Sequence, residues 1–371
     1  MEDFESMKNA RITLKILSVY LVHQLIVFGS IYLNHTLYAP RGSFKGVGVL
    51  WPLLANWDGE WYLRIVTDGY NQHSAAFFPL YPLLIGLLHS FGIKPLTAGL
   101  LISNVCLLGI CFLFFMMISK DYDQKVAFKA LWYLMLFPTS FFLNVVYTEA
   151  LFLLGVLVAF ASARQGRWLL AGIGGLCAAA TRNWGVFIVI PLIVEYLHQI
   201  NFNWRRIQGR IGWLGIIPVG LLSYMFFLQS RFGDPFLFVK VQASWLRGAS
   251  LPWDAFLFTI GNIVNDRYWG RNFLDLLVTV PAMGMLLSGF RKKIRVSYLV
   301  YGVIGFLIPL FAASPRAGLF SMPRFVMVLF PIYLGIAVGF NRSEPERGII
   351  ALFAGALAHF SVLFSQLRWI A

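Results

Sequence analysis

Charge is what this sequence lacks most. Asp, Glu, Lys and Arg make up 12% of its 371 residues, where a soluble domain carries about 25%. No polar stretch is long enough to fold separately. A length of 371 would suit two soluble domains, but the sequence reads as a single membrane-embedded domain, residues 1–371. Cysteine is nearly absent: Cys106, Cys111 and Cys177 all lie inside apolar runs, which excludes a disulfide framework and a thiolate zinc site. His23, His35, His73, His89, His198 and His359 are scattered without ligand spacing. No Asp-x-Asp pair occurs in a loop facing outward. Asp121-Tyr122-Asp123 is such a pair, but Lys120 and Lys125 flank it, and it reads as a solvated cytoplasmic loop. No cofactor and no divalent metal is therefore expected. Internal duplication is also missing.

Acidic residues are outnumbered, 16 to 30, giving a net charge of +14. The basic residues do not gather into a surface for nucleic acid. They form short clusters between apolar runs: Lys8 with Arg11, Arg164 with Arg167, Arg205-Arg206 with Arg210, and Arg291-Lys292-Lys293 with Arg295. That is the pattern of cytoplasmic loops under the positive-inside rule.

What the sequence has is apolar length, with 59% hydrophobic residues. Runs near 12–33, 97–118, 126–143, 149–163, 168–181, 184–198, 211–230, 271–290, 296–313, 324–340 and 348–366 predict an all-α, multi-pass membrane protein of about eleven spans. The first run is too long for a signal-peptide core and no small-residue cleavage site follows, so it reads as a retained span. A cytoplasmic N-terminus puts the basic clusters inside. Residues 34–96 then lie outside, as does a second large loop at 231–270. Phe77–Phe91, with Pro79 and Pro82, is short for a span and reads as a juxtamembrane or re-entrant helix, since irregular backbone at membrane depth must be buried in protein.

The first outer loop carries Asn56-Trp57-Asp58-Gly59-Glu60-Trp61-Tyr62-Leu63-Arg64 and then Thr67-Asp68-Gly69-Tyr70. On a helix, Trp57, Trp61 and Ile65 share a face, Asp68 reaches Arg64 across one turn, and Gly69 suits the C-terminus. The indoles fit an interfacial helix. A carboxylate beside them at the membrane edge is costly unless paired or used. Asp58 reads either as an N-cap or as a general base tuned by partial burial.

Trp57-Asp58-Gly59 with Trp61-Tyr62, then Gly69-Tyr70, then Ala76-Phe77-Phe78-Pro79-Leu80-Tyr81-Pro82 resembles the PIG-V type mannosyltransferases, within the membrane glycosyltransferases of GT-C fold. Phe137-Pro138-Thr139-Ser140-Phe141-Phe142 followed by Tyr147-Thr148-Glu149 is similar to the family's next outer turn. Thr181-Arg182-Asn183 resembles a further short motif. Gly233-Asp234-Pro235 with Phe238, Gln242 and Trp245 resembles a later outer loop, and Met322-Pro323-Arg324-Phe325 heads a late helix as in the family. The resemblance runs over most of the chain. It implies a GT-C-like helical bundle with Asp58 in the place of the catalytic acid and Glu149 in that of the second acidic residue. The chain is short for the eukaryotic members, which suggests a prokaryotic relative. Its expected place is then a bacterial plasma membrane, or the endoplasmic reticulum if it is eukaryotic.

The implied reaction is one inverting displacement, in which a polyprenyl-phosphate carrier hands a mannose-type sugar to a hydroxyl of a lipid-linked or glycan acceptor on the non-cytoplasmic face. Asp58 would take the hydroxyl proton, and arginine suits the phosphate that leaves. Arg182, Arg267 and Arg324 are the candidates, each serving that purpose or snorkelling to the interface. Glu149 either favours a helix N-terminus or binds acceptor or a cation. His73 is a solvated loop residue or a substrate contact. Gln242 and Trp245 line a sugar subsite, or lie on lipid, and Trp57 and Trp61 join the substrate-binding candidates. The expected partners are membrane lipids, the donor and the acceptor, with no nucleic acid; a possible accessory subunit is unidentified. Two rival readings are a transporter or lipid flippase without transferase activity, and a transferase using a lipid-linked oligosaccharide. Transporters show repeats and midplane charges; here Asp58, Glu149, Arg182 and Arg324 fall at one face.

Overall fold

The computed structural model describes residues 2–38, 50–245, 247–267, 269–292, 294–339 and 343–370, with the side chains of 2–8, 245 and 343–345 outside the description. Helices run in the order α1 (Glu2–Tyr38), α2 (Asp58–Asp68), α3 (Leu80–Ser90), α4 (Pro95–Asp121), α5 (Gln124–Leu136), α6 (Glu149–Arg164), α7 (Trp168–Thr181), α8 (Val189–Gln199), α9 (Ile217–Phe232), α10 (Leu237–Lys240), α11 (Pro252–Val264), α12 (Trp269–Arg291), α13 (Val296–Leu310), α14 (Met322–Met327), α15 (Pro331–Gly339) and α16 (Ser343–Ser365). Among the described residues no strand occurs.

Local chemistry sets many of these boundaries. Pro95 opens α4 at a position whose N–H has no helical partner anyway. Asp123 caps α5 by accepting from the Val126 N–H at 2.7 Å. Glu149 begins α6 and Arg164 ends it, each charge opposing the helix dipole. As expected, α2 stops at Gly69, which has φ 81°.

Five helices among the described residues are long and apolar enough to cross a membrane: Asn9–Tyr38, Pro95–Asp121, Gly209–Phe232, Trp269–Arg291 and Glu346–Ser365. Of the other expected spans, 149–163, 168–181 and 296–313 are single shorter helices, α6, α7 and α13, while the rest are interrupted. The run at 126–143 becomes α5 and a tight turn at Ser140–Leu143. The run at 324–340 breaks between α14 and α15, where Pro331 has no N–H to continue the helix. Carbonyls at that break are not left bare: the Tyr301 hydroxyl donates to Val328 O at 2.9 Å and Tyr333 to Met327 O at 2.7 Å. Uniformly apolar residues hide such a break from hydropathy. The stretch around Phe77–Phe91 forms only the 11-residue α3, held by the Tyr81 hydroxyl donating to Gly99 O at 2.9 Å.

The bundle centres on α6, which packs against α4 and α7, with α9 beyond α7; α1 lies on α16, α5 on α15, and α8 on α13. Between these helices sits an aromatic core in which Phe160 and Phe330 each lie 5.1–5.7 Å from Tyr298 and Tyr301 and 5.4 Å from each other, with Tyr301 and Phe330 stacked and the other pairs edge-on. Leu222 and Phe226 on α9, and Leu277 and Leu287 on α12, are exposed, as the lipid-facing side of a membrane bundle requires.

Two polar clusters mark the two ends of α6, about 22 Å apart at the helical rise. One surrounds Arg164, and there the structure corrects the reading of Asp121 as a solvated loop residue. Asp121 is the last residue of α4. Its carboxylate accepts from Arg164 and, at 2.6 Å, from the Tyr298 hydroxyl. Glu195, fully buried, accepts both Nε and Nη2 of Arg295 at 2.6 and 2.7 Å and the Ser297 hydroxyl at 2.7 Å. The cluster joins α4, α6, α8 and α13. Flanking lysines misled because the partners of Asp121 come from elsewhere in the chain.

Candidate active site

The other end of α6 holds the second cluster. Its first element is the segment 50–58, which a tight turn at Trp51–Ala55 delivers to Trp57. The Val146 N–H donates to Leu54 O at 3.0 Å. The buried Tyr147 hydroxyl donates to Asn56 O at 3.1 Å and accepts from the Asp58 N–H at 3.3 Å. Burial, then the charge of Asp58, raise the Tyr147 pKa well above its ordinary value, so this hydroxyl stays a donor. Gly59 eases the close approach at the next position, since a Cβ there would stand 3.2 Å from Val146 O, a tight contact. Asp58 is thus the first residue of α2 and not its cap; Trp57 occupies the cap position, and the Asp58 carboxylate engages Arg324.

Arg324 Nη1 donates to Asp58 Oδ2 at 2.6 Å. Its Nε lies 3.1 Å from Glu149 Oε1, and Arg182 Nη1 donates to the same oxygen at 2.5 Å. The order is Asp58–Arg324–Glu149–Arg182, two acids alternating with two bases. Glu149 is fully buried, and the two arginines are 9% exposed. Such a pair is strongly destabilised if one partner is removed. Arg182 is aimed by the turn after α7, where Gly185 presses so close to the Ala178 carbonyl that a Cβ would overlap it.

Backbone strain gathers here. Trp57 has φ 59° and Ser321 has φ 66°, left-handed values costly for non-glycine residues. The first immediately precedes Asp58. The second immediately precedes α14, which carries Arg324. Each half of the 2.6 Å contact is therefore launched from a constrained backbone position.

The quartet lines a cavity of about 790 Å³ whose walls carry two acidic residues, Asp58 and Glu149, and five basic ones, Arg182, Lys240, Arg247, Arg271 and Arg324. Its balance is positive. Phe325 gathers the guanidinium groups of Arg182, Arg247 and Arg324, with Cζ 5.4, 5.0 and 5.8 Å from the ring centre, a favourable cation–π geometry. Among the described residues Arg247 has no carboxylate partner; it donates to Phe320 O at 3.3 Å. Burial, then the positive charges of Arg324 and Arg182, push its pKa down to about 10, so it remains a cation at neutral pH. Glu149 Oε2 and the indole N–H groups of Trp184 and Trp369 are buried without a hydrogen-bond partner among the described residues, and all three residues line the same cavity. Buried polar groups rarely stay unpaired without a reason.

Of the residues singled out from the sequence, Asp58, Glu149, Arg182, Arg324, Gln242 and Trp57 line this cavity. Trp61 does not; it stacks on Phe77 with ring centres 5.7 Å apart. His73 and Arg267 are exposed and do not line the cavity. The side chain of Trp245 lies outside the described residues. Arg64 pairs with Glu60 at 3.3 Å, not with Asp68. Arg247, Arg271, Lys240 and Trp369 were not anticipated. A basic residue inside the second outer loop was a usable signal for Lys240 and Arg247; nothing local marked Trp369. Among the described residues no group of three or more His, Cys, Asp or Glu is placed to hold a metal ion.

Comparison with known proteins bears on the family and the fold. A family model described as "Mannosyltransferase (PIG-V)" matches residues 42–283. A comparison with curated protein sequences finds no match. Among solved structures, the chain is similar to ArnT from Cupriavidus metallidurans bound to undecaprenyl phosphate, with a TM-score of 0.55 and 13% identity over 91% of this chain and 62% of that one. It is also similar to the same organism's ArnT in the apo state, at a TM-score of 0.52 and 14% identity over 82% and 60%. The chain thus spans less than two thirds of the length of these structures. The likeness shows a shared fold, the GT-C arrangement of ArnT.

Proposed function

The chain belongs to the PIG-V mannosyltransferase family, and on that premise we propose that it transfers a mannose-type sugar from a polyprenyl-phosphate carrier to an acceptor hydroxyl, with inversion. The observation that carries this reading is the contact between Asp58 and Arg324 at the wall of a cavity with five basic and two acidic residues. One end of that contact is a carboxylate able to take a proton. The other belongs to a guanidinium cluster suited to a phosphate.

The reaction balances as one displacement. The acceptor oxygen forms a bond to the anomeric carbon while the bond from that carbon to the phosphate oxygen breaks. The bonding electrons leave with the lipid phosphate, and the hydroxyl proton passes to Asp58. General base catalysis of this kind contributes about 10²–10⁴-fold. Arg182, Arg324, Arg247 and Arg271 stabilise the charge that grows on the phosphate, in a site whose dipoles are already oriented. Glu149 Oε1, facing Arg182 at 2.5 Å and Arg324 at 3.1 Å, holds the two guanidiniums together at the cavity wall. That the solved ArnT was bound to undecaprenyl phosphate supports a lipid-phosphate donor for this fold.

The site faces the non-cytoplasmic side on this reading, because the basic loops lie at the opposite end of α6. No divalent ion enters this proposal, since arginines beside Asp58 Oδ2 and Glu149 Oε1 can stabilise the leaving phosphate themselves. The test is incubation of the purified protein with polyprenyl-phosphate mannose and a crude lipid or glycan extract, followed by mass spectrometry. A mannosylated product from the wild type, lost in Asp58→Asn with folding intact, supports the reading. Substantial turnover by Asp58→Asn would make that carboxylate structural and end the proposal.

A further inference from the structure

A part of the cavity wall remains that proton transfer and phosphate binding do not use. Trp369 follows α16, and Leu367, at φ 60°, turns the chain back toward the cavity. The Trp369 ring stacks on Phe320, with centres 5.3 Å apart and planes 13° from parallel, and meets Trp57 edge-on at 5.3 Å and 85°. The end of α16 is fixed beside the quartet: Asn56 Nδ2 donates to Phe364 O at 2.9 Å, and the Phe364 ring lies 5.9 Å from that of Tyr147. Three rings therefore form a corner next to Asp58. Phe320 is its border, since the Arg271 guanidinium sits 5.1 Å from the same ring. Beyond that border the wall is cationic; on the near side it is aromatic.

Strain and unmet hydrogen bonding both concentrate at this corner. Leu367, Trp57 and Ser321 are three of the six non-glycine residues with positive φ among those described, and all three adjoin it. The Trp369 indole N–H is buried with no hydrogen-bond partner among the described residues. A flat apolar ring beside an unmatched donor is a poor phosphate site and a poor site for a bare alkyl hydroxyl. It suits a pyranose, whose C–H face lies against an aromatic ring while a hydroxyl accepts from an indole N–H.

Resting on the transferase reading above, we infer that Trp57, Trp369 and Phe320 form the acceptor subsite, and that the acceptor presents a sugar ring there. Trp57 immediately precedes the residue that would take the acceptor's proton, so a ring held at the corner brings its hydroxyl to Asp58. The acceptor class is a glycan or glycolipid with an exposed pyranose.

The experiment uses the full chain in nanodiscs and two probes, methyl α-mannopyranoside and undecaprenyl phosphate. Saturation-transfer NMR reads the first, and the shift in thermal unfolding reads the second. Contacts to the glycoside ring protons are expected in the wild type. Trp369→Ala weakens glycoside affinity about tenfold and Trp369→Phe less, while the shift caused by undecaprenyl phosphate is unchanged in both. Trp369→Phe keeps the inference testable should the alanine variant fail to fold. Equal glycoside contact in wild type and Trp369→Ala, or none in a wild type that binds the lipid phosphate, overturns the subsite. A wild type that does not respond to the lipid phosphate counts against the transferase reading itself.

Discussion

Arg324 and Asp58, 266 positions apart in the sequence, meet at 2.6 Å in the wall of the cavity. The guanidinium that contacts the proposed base also sits 3.1 Å from Glu149, so one side chain joins the two acidic positions. Arg324→Ala is expected to weaken binding of the lipid phosphate. Titration of undecaprenyl phosphate checks this, and an unchanged apparent affinity would remove Arg324 from the phosphate site.

Arg182→Ala takes one of two cations from the fully buried Glu149. A loss of about 3–5 kcal/mol of stability is expected, the usual cost of leaving a buried charge uncompensated. In the double variant Arg182→Ala/Glu149→Ala part of that loss should return, because the stranded carboxylate is gone as well. Thermal unfolding of the two variants side by side decides it.

Arg247 is expected to show opposite effects on stability and binding. With no carboxylate partner among the described residues and a pKa pushed down to about 10, it is a cation that the surrounding protein accommodates poorly. Its protonation costs folding free energy below that value, and the cost fades as pH rises through it. Arg247→Gln should raise the unfolding temperature at neutral pH without donor and lower affinity for the lipid phosphate. A drop in both would mean Arg247 is a structural anchor. Arg267→Ala, at an exposed position, should change neither.

Gly185→Ala tests how Arg182 is aimed. A methyl group there would overlap the Ala178 carbonyl, forcing the turn away from α7. Overpacking of this kind costs about 1–3 kcal/mol, and the displaced guanidinium should also weaken lipid-phosphate binding. Wild-type binding in the variant would separate the turn from the site.

Chelation is expected to leave transfer unchanged. Loss of product in EDTA, restored by a divalent ion, would require a metal and overturn the arginine-only account.

The four residues of the quartet were legible in the sequence because each lies in a short local pattern: Asp58 after Trp57, Glu149 at a helix start, Arg182 between two helices, Arg324 after Pro323. Their alternation was not, since it depends on α2, α6, α7 and α14 converging. Arg271 was hidden for the same reason, and the outer-loop position of Arg247 marked its charge but not its neighbours. Their significance lies in Phe325 and Phe320, which packing brings beside them. Asp121 shows the reverse failure: its lysine neighbours suggested solvent, while its partners come from α6 and α13. Apolar runs gave the membrane class and the longest helices. They did not reveal the break before Pro331, where two tyrosine hydroxyls stand in for helical N–H groups.

The surplus of three positive charges on the cavity wall bears on turnover under the proposed reaction. A sugar-bearing carrier is a phosphodiester with one negative charge; the carrier left behind is a monoester with about −1.5 to −2 at neutral pH. The wall therefore grips the spent carrier harder than the loaded one. Departure of that lipid, and not the displacement, would then set the pace, and added free carrier would compete with the donor.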